Sequence, residues 1–218
     1  MKPILLILIC VFNISIESCI YKPSTDISNN TFIDERDGKL YKTVKIGDQI
    51  WFAENFAYLP KIDTINISVY EYKGNSIEEA KLTMAYKTYG ALYSWSYAKK
   101  LAPKGWRLPT DSDWLKLEKE IGLDKETINT IGWRGTNNEV NHLKKDGKSG
   151  FNISYGGWKT DYGKFNFQGE HANYWCADSF DDIRAYERLI GIKNNKIGRE
   201  YGNKGCGFSV RYVKDDTK

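Results

Sequence analysis

"KGWRLPTDSDW", residues 104–114, decides how this chain is read: two Trp, an Arg, a Pro and an acidic helix start stand within one short stretch. Such a cluster is either a catalytic signature or a seam between elements of a fold. Pro109 ends a short strand through Trp106, Arg107 and Leu108, and Thr110 opens a helix. Thr110 with Asp113 three residues later makes a capping box, although Asp reaches less far than Glu in that position. Trp114, Leu117 and Ile121 fall at i, i+3 and i+7, which is one helical face, and Gly122 is the expected stop. Arg107 between two Trp is read as a cation–π or buried structural contact. The stretch is a seam, and the chain reads as a binding module rather than an enzyme.

Working outward, "YSWSYAKKLAPKGW" predicts a preceding helix. Ser94 is positioned to cap it, Trp95, Ala98 and Leu101 share a face, Lys99 and Lys100 suit its C-terminal end, and Pro103 stops it. Further upstream, "DGKLYKTVKIGDQIWFAENF" (37–56) predicts a hairpin. Leu40, Val44 and Ile46 share a period-two phase, Gly47-Asp48 supplies the turn, and Ile50-Trp51-Phe52 returns. Between Pro60 and Gly90 the pattern weakens to an excursion with a short helix around Ile77–Met84. Downstream the character changes to short β-type runs punctuated by Gly, Asn and Asp. In "RLIGIKNNKIGREY" an Asn-Asn turn joins two strands. Hairpin, two helices, then strands is the order of an α+β fold in one domain.

The chain has 218 residues, of which 41% are hydrophobic and 14% aromatic. Aromatics suit strands and half-buried surfaces, and they also offer flat faces to ligands. The formal net charge is only +4 and no dense Lys/Arg cluster occurs, so nucleic acid is not an expected partner.

The first residues, "MKPILLILICVFNISIESC", combine one Lys with an apolar run from Ile4 to Phe12. That run is short for a membrane span, which needs about 20 residues, but it suits a secretory signal. Ile16-Glu17-Ser18-Cys19 resembles a bacterial lipobox, in which Cys19 is lipidated after cleavage. Glu17 departs from the usual box, and an ordinary secretory signal is the alternative. Residues 1–18 are read as the signal, 19–32 as a polar tether and 33–215 as the domain. The protein is therefore expected to be exported and held by lipid at the outer membrane or cell surface. The domain keeps only Cys176 and Cys206. Two cysteines in an exported domain most simply pair, and closing that loop contributes roughly 3–4 kcal/mol in the chain-entropy account. Two buried free thiols are the alternative.

Catalytic constellations are scarce. His142 and His171 stand far apart with no HExxH spacing, and neither a GxSxG nor a GxxxxGK[ST] loop occurs. No cofactor is expected. The best metal candidate is "DSFDDIRAYE", where Asp178, Asp181, Asp182 and Glu187 offer oxygen ligands to calcium, without EF-hand spacing.

"YKTVKIGDQIWFAENFAYLP", the run from "YKGNSIEEAKLTMAYKTYG" through "WRLPTDSDWLKLEKEIG", and the terminal "GCGFSVRYVKD" together resemble the Fibrobacter succinogenes major paralogous domain, a family of exported bacterial domains common in Bacteroidetes-type lipoproteins. The resemblance implies a C-type-lectin-like fold: two helices flanking small antiparallel sheets, with the N- and C-terminal strands adjacent. It also implies that Cys176 and Cys206 sit where a loop-to-terminal-strand disulfide of that fold lies. The Glu-Pro-Asn, Gln-Pro-Asp and Trp-Asn-Asp tripeptides of calcium-dependent sugar sites are absent here. The Cys pair also stands in the wrong part of the pattern for the copper site of formylglycine-generating relatives. The fold places its contacts in the long loop region, here roughly 150–182. Tyr155, Trp158, Tyr162, Tyr174 and Trp175 are accordingly the candidate ligand-binding residues, for a polysaccharide or a surface protein. A structural or adhesin-like surface component, and least a sulfatase-modifying type of enzyme, are the competing readings.

Overall fold

A computed structural model describes residues 30–63, 65–136 and 139–215. The signal segment, Cys19 and the tether up to residue 29 lie outside the described residues. Strands β1 (Thr31–Asp34), β2 (Lys39–Ile46) and β3 (Gln49–Phe52) come first. They are followed by β4 (Ile67–Ser68), helices α1 (Ile77–Leu82) and α2 (Met84–Tyr89), β5 (Leu92–Tyr93), α3 (Trp95–Lys100), β6 (Trp106–Arg107) and α4 (Asp111–Glu120). The second half holds β7 (Gly132–Arg134), α5 (Glu139–Leu143), β8 (Trp158–Lys159) and β9 (Phe165–Asn166). It ends with β10 (His171–Ser179), β11 (Arg184–Gly191), β12 (Ile197–Asn203) and β13 (Val213–Lys214). The domain starts earlier than its sequence suggests: β1 takes in the end of the expected tether, and Phe32 is buried in the core.

The architecture is α+β on small antiparallel sheets. A five-stranded sheet runs β1-β2-β3-β13-β6 and a four-stranded sheet runs β10-β11-β12-β7, with two-stranded pairs β4–β5 and β8–β9 beside them. The C-terminal strand thus lies against the N-terminal hairpin, Val213 opposite Trp51. The hairpin turns at Gly47-Asp48, as its sequence predicts, with Ile46 facing Gln49. Gly47 takes φ +60°, which a residue without Cβ adopts freely.

The period of β2 does not separate a buried face from an exposed one, for a clear reason. Both faces of the first sheet are covered. Tyr41 and Phe52 enter one core cluster, Ile46 and Trp51 the other. Successive strand residues point to opposite faces, so alternation cannot reveal an outside. Leu40, in phase with Val44 and Ile46, pairs with Ile33 at the sheet's end and is 52% exposed.

The seam is built as read. Thr110 Oγ1 accepts the Asp113 amide at 3.1 Å, and the Asp113 carboxylate accepts the Thr110 amide at 2.7 Å. Trp114, Leu117 and Ile121 are buried against Trp51 and Phe151. Arg107 makes a structural contact, holding both Asp113 oxygens. Gln49 also donates to Asp113, which ties the helix start to β3. Burial opposes ionisation of Asp113, but Arg107 and Thr110 outweigh it and hold the carboxyl below its ordinary value. Thr110→Ala is expected to cost about 1 kcal/mol, read as a lower urea midpoint with an unchanged slope.

Two helix details depart from expectation. Ser94 does not cap α3 with its side chain; its hydroxyl donates to Asn66 Oδ1 instead. The helix near residues 77–84 is two short helices, because Thr83 closes α1 and caps α2 through Tyr86 N.

The cysteines do not pair. Both are free thiols, buried in different core clusters. Trp175 and Cys176 are neighbours on β10 and so face opposite ways: Trp175 enters the cluster that holds Cys206, while Cys176 points toward α4 and Arg188. Burial raises the thiol pKa of both, that of Cys206 to about 11.

A buried charge network fixes α4 to the second sheet. Glu118 accepts from Arg134 of β7 at 2.8 and 2.9 Å and from Arg188 of β11. Arg188 also meets Asp111 at 2.9 Å, and Arg199 of β12 closes on Asp111 at 2.6 Å. The segment 206–214 then threads between the sheets. Phe208 bridges Tyr93, Ser209 bridges Tyr174, and the carbonyls of Val210 and Tyr212 accept from Phe56 and Phe52.

Candidate functional site

The five aromatics expected to bind ligand are not brought together. Tyr174 and Trp175 are fully buried: Tyr174 packs on Trp114, and Trp175 stacks on Phe208 at 4.1 Å while its indole donates to Tyr93 O. Neither can meet a ligand, because β10 is covered on both faces. Trp158 is half-buried, edge-on to Phe208. Tyr155 is half-buried with the second core cluster, and Tyr162 stands alone in solvent on the β8–β9 turn, 78% exposed.

The carboxylates considered for calcium are likewise separated by their own tasks. Asp178 accepts the Asp111 amide at the start of α4. Asp181 binds Arg184 and the amides of Ile183 and Arg184, and Asp182 lies exposed in the same turn. Glu187 is buried and accepts from Asn173. Among the described residues, no three His, Cys, Asp or Glu groups converge to hold a metal.

A site does form at the far end of the four-stranded sheet. Trp133, Glu170, His171, Gly191, Ile192, Lys193 and Asn194 line a hollow of about 330 Å³. Trp133 sits on the edge strand β7 opposite Gly198. A Cβ at Gly198 would come within 3.4 Å of the indole, so the missing side chain leaves room for the ring. Strand alternation does the rest: Arg134 turns inward to Glu118, and Trp133 turns outward, 43% exposed. Across the hollow, Phe167 stacks on His171 at 4.5 Å and 16°. Ile192, just past β11, is held by its amide bond to Glu170 O.

Two charged groups of this hollow stay open, whereas Asn194 Oδ1 accepts the Lys196 amide at 3.1 Å. Neither Glu170 nor Lys193 makes an ion pair among the described residues. An exposed indole, a stacked aromatic pair and an unpaired carboxylate and ammonium can hold a ligand with an apolar face and hydroxyl edges. Sequence reading missed Trp133 because "TIGWRGT" alone gives no strand signal; the flanking glycines were its only mark.

A family comparison matches residues 44–214 to the Fibrobacter succinogenes major domain. The chain belongs to that family. The match to the Fibrobacter succinogenes major domain runs from the end of β2 through β13; it includes the four-stranded sheet and the hollow and leaves β1 outside. No curated protein and no solved structure matches the chain. No helix among the described residues is long and apolar enough to cross a membrane.

Proposed function

We propose that the protein is exported, anchored by lipid on Cys19 at the outer membrane or cell surface, and that its domain has a C-type-lectin-like fold which binds polysaccharide without catalysis. The adjacency of the N-terminal hairpin and the C-terminal strand supports the lectin-like reading. The observation that carries the binding reading is the Trp133 hollow. Aromatic faces stack on the apolar faces of sugar rings, and Glu170 and Lys193 stand ready for hydroxyls. A purely structural surface component would have no use for an outward Trp beside unpaired polar groups. Absence of catalysis accords with His142 and His171 lining separate hollows and with two buried, protonated thiols.

A glycan array followed by titration of the best binder tests this. Trp133→Ala is expected to weaken binding about tenfold or more, and Trp133→Phe to restore part of it, with thermal unfolding little changed. Binding should not depend on calcium, since Asp178, Asp181, Asp182 and Glu187 are engaged elsewhere. No glycan bound, or a bound glycan indifferent to Trp133, would overturn the assignment and direct attention to surface-protein partners.

A further inference from the structure

A second groove, of about 610 Å³, runs between α2 and the segment 145–155, with Arg211 at its floor. Its lining carries a strong charge excess. Lys39, Lys42, Lys87, Lys145 and Arg211 face only Glu54 and Asp146, five cations against two carboxylates. Lys39 and Glu54 approach each other at 3.9 Å, which leaves four cations and one carboxylate. Lys42, Lys87 and Lys145 are exposed and make no ion pair among the described residues. The surplus of three charges compares with +4 for the entire chain.

Arg211 makes this more than a set of solvated lysines. Its guanidinium is fully buried, yet every acceptor it binds is neutral: Asn55 Oδ1 and the carbonyls of Phe52, Phe151 and Asn152, at 2.6 to 3.2 Å. No carboxylate lies within ion-pair distance of it among the described residues. A buried charge without a counter-charge is costly, and burial lowers the affinity of Arg211 for its own proton. The cation therefore projects its field into the groove above it, where low-dielectric walls strengthen it. The remaining lining mixes hydroxyl and amide groups, of Thr88, Ser154, Asn55 and Asn152, with small and aromatic side chains such as Ala53, Ala57 and Tyr86. The Tyr155 hydroxyl, on the same groove, is buried and finds no partner among the described residues.

We infer that this groove binds an acidic oligosaccharide, a sugar chain bearing carboxylates, whose negative groups supply the counter-charge that Arg211 and the lysines lack. The site is separate from the Trp133 hollow and does not depend on it. The hydroxyl and amide lining suits sugar hydroxyls, and the exposed lysines set the distance over which successive carboxylates are met.

Calorimetric titration of the protein with a galacturonate hexamer, at low and high salt, is the test. Maltohexaose serves as the neutral control and polyglutamate as an acidic peptide. The expected result is binding of the galacturonate hexamer that weakens steeply with salt, with maltohexaose not bound at this site. Lys42→Glu with Lys145→Glu should weaken it about tenfold or more. The matched reversal on α4, Lys116→Glu with Lys119→Glu, should change it little, as should Trp133→Ala. The inference is overturned if the α4 pair weakens binding as much as the groove pair, if maltohexaose competes, or if polyglutamate binds as tightly. Because the groove lysines are exposed, these variants test binding without disturbing the core.

Discussion

Replacing Glu118 with alanine is expected to destabilise the domain by about 3–5 kcal/mol, the usual cost of breaking a buried ion pair from one side. Glu118 is fully buried and is shared by two buried guanidiniums, Arg134 and Arg188. Its loss leaves Arg134 with the Ile128 carbonyl as its one remaining bond partner, and Arg188 with Asp111 as its only carboxylate. Small domains are stable by only about 5–15 kcal/mol, so this variant should unfold at a much lower urea concentration. Among the described residues the remaining charged tie between α4 and β11, Asp111 with Arg188, sits at the helix start and is less deeply buried. A triple replacement of Glu118, Arg134 and Arg188 by Leu, Met and Met should cost less than the single alanine, because no charge is left stranded. A Glu118→Ala loss below about 1 kcal/mol would show that the network does not hold the helix.

Stability should also fall as pH rises from about 4.5 to about 7, against the common trend for carboxylates. Burial raises Glu187 from an ordinary 4.5 to about 7, with the Asn173 amide opposing the shift and Glu200 adding to it. Between those values the folded protein holds a proton that the unfolded chain has released, so raising the pH favours unfolding. The stability is fully present below about 4.5 and is lost by about 7, which amounts to roughly 3 kcal/mol. On the acid side, Asp111 and Asp113 act in the usual sense. Burial opposes their charge, but Arg199 and Arg188, and Arg107 with Thr110, hold both below the ordinary value of 3.8. Their contribution is lost as pH drops below that value, which puts the optimum in the mildly acidic range. Urea midpoints followed across this range should show the decline in the natural protein and not in Glu187→Gln. A slope common to both proteins would refute the assignment.

Local chemistry was the legible part of the sequence. The Thr110–Asp113 box, the Trp114-Leu117-Ile121 face, the Gly47-Asp48 turn and the Asn194-Asn195 hairpin depend on neighbours within a few residues, and each stands where its pattern puts it. What failed depended on packing over distance. Leu40 obeys its period, but both sheet faces are buried and period alone cannot choose between them. Cys176 and Cys206 satisfy cysteine arithmetic while facing opposite sides of β10. Trp175 and Tyr174 have the composition of a binding loop and the position of a core. The basic groove was invisible for the same reason: Lys42, Lys87, Lys145 and Arg211 are scattered along the chain, and no local window contains their sum.

The threading of residues 206–214 between the two sheets also sets the order in which the chain can become a protein. Arg211 reaches Asn55 and Phe52, Ser209 receives a hydrogen bond from Asn55, and Tyr212 donates to Ala98. These partners are synthesised long before the segment that joins them. Neither core cluster is complete until residues 210–213 arrive, since Val210 and Tyr212 belong to one and Val213 to the other. Such distant closure makes folding slow relative to local structure. The domain therefore closes on itself only when residues 206–214 take their place, so one short segment commits both core clusters at once.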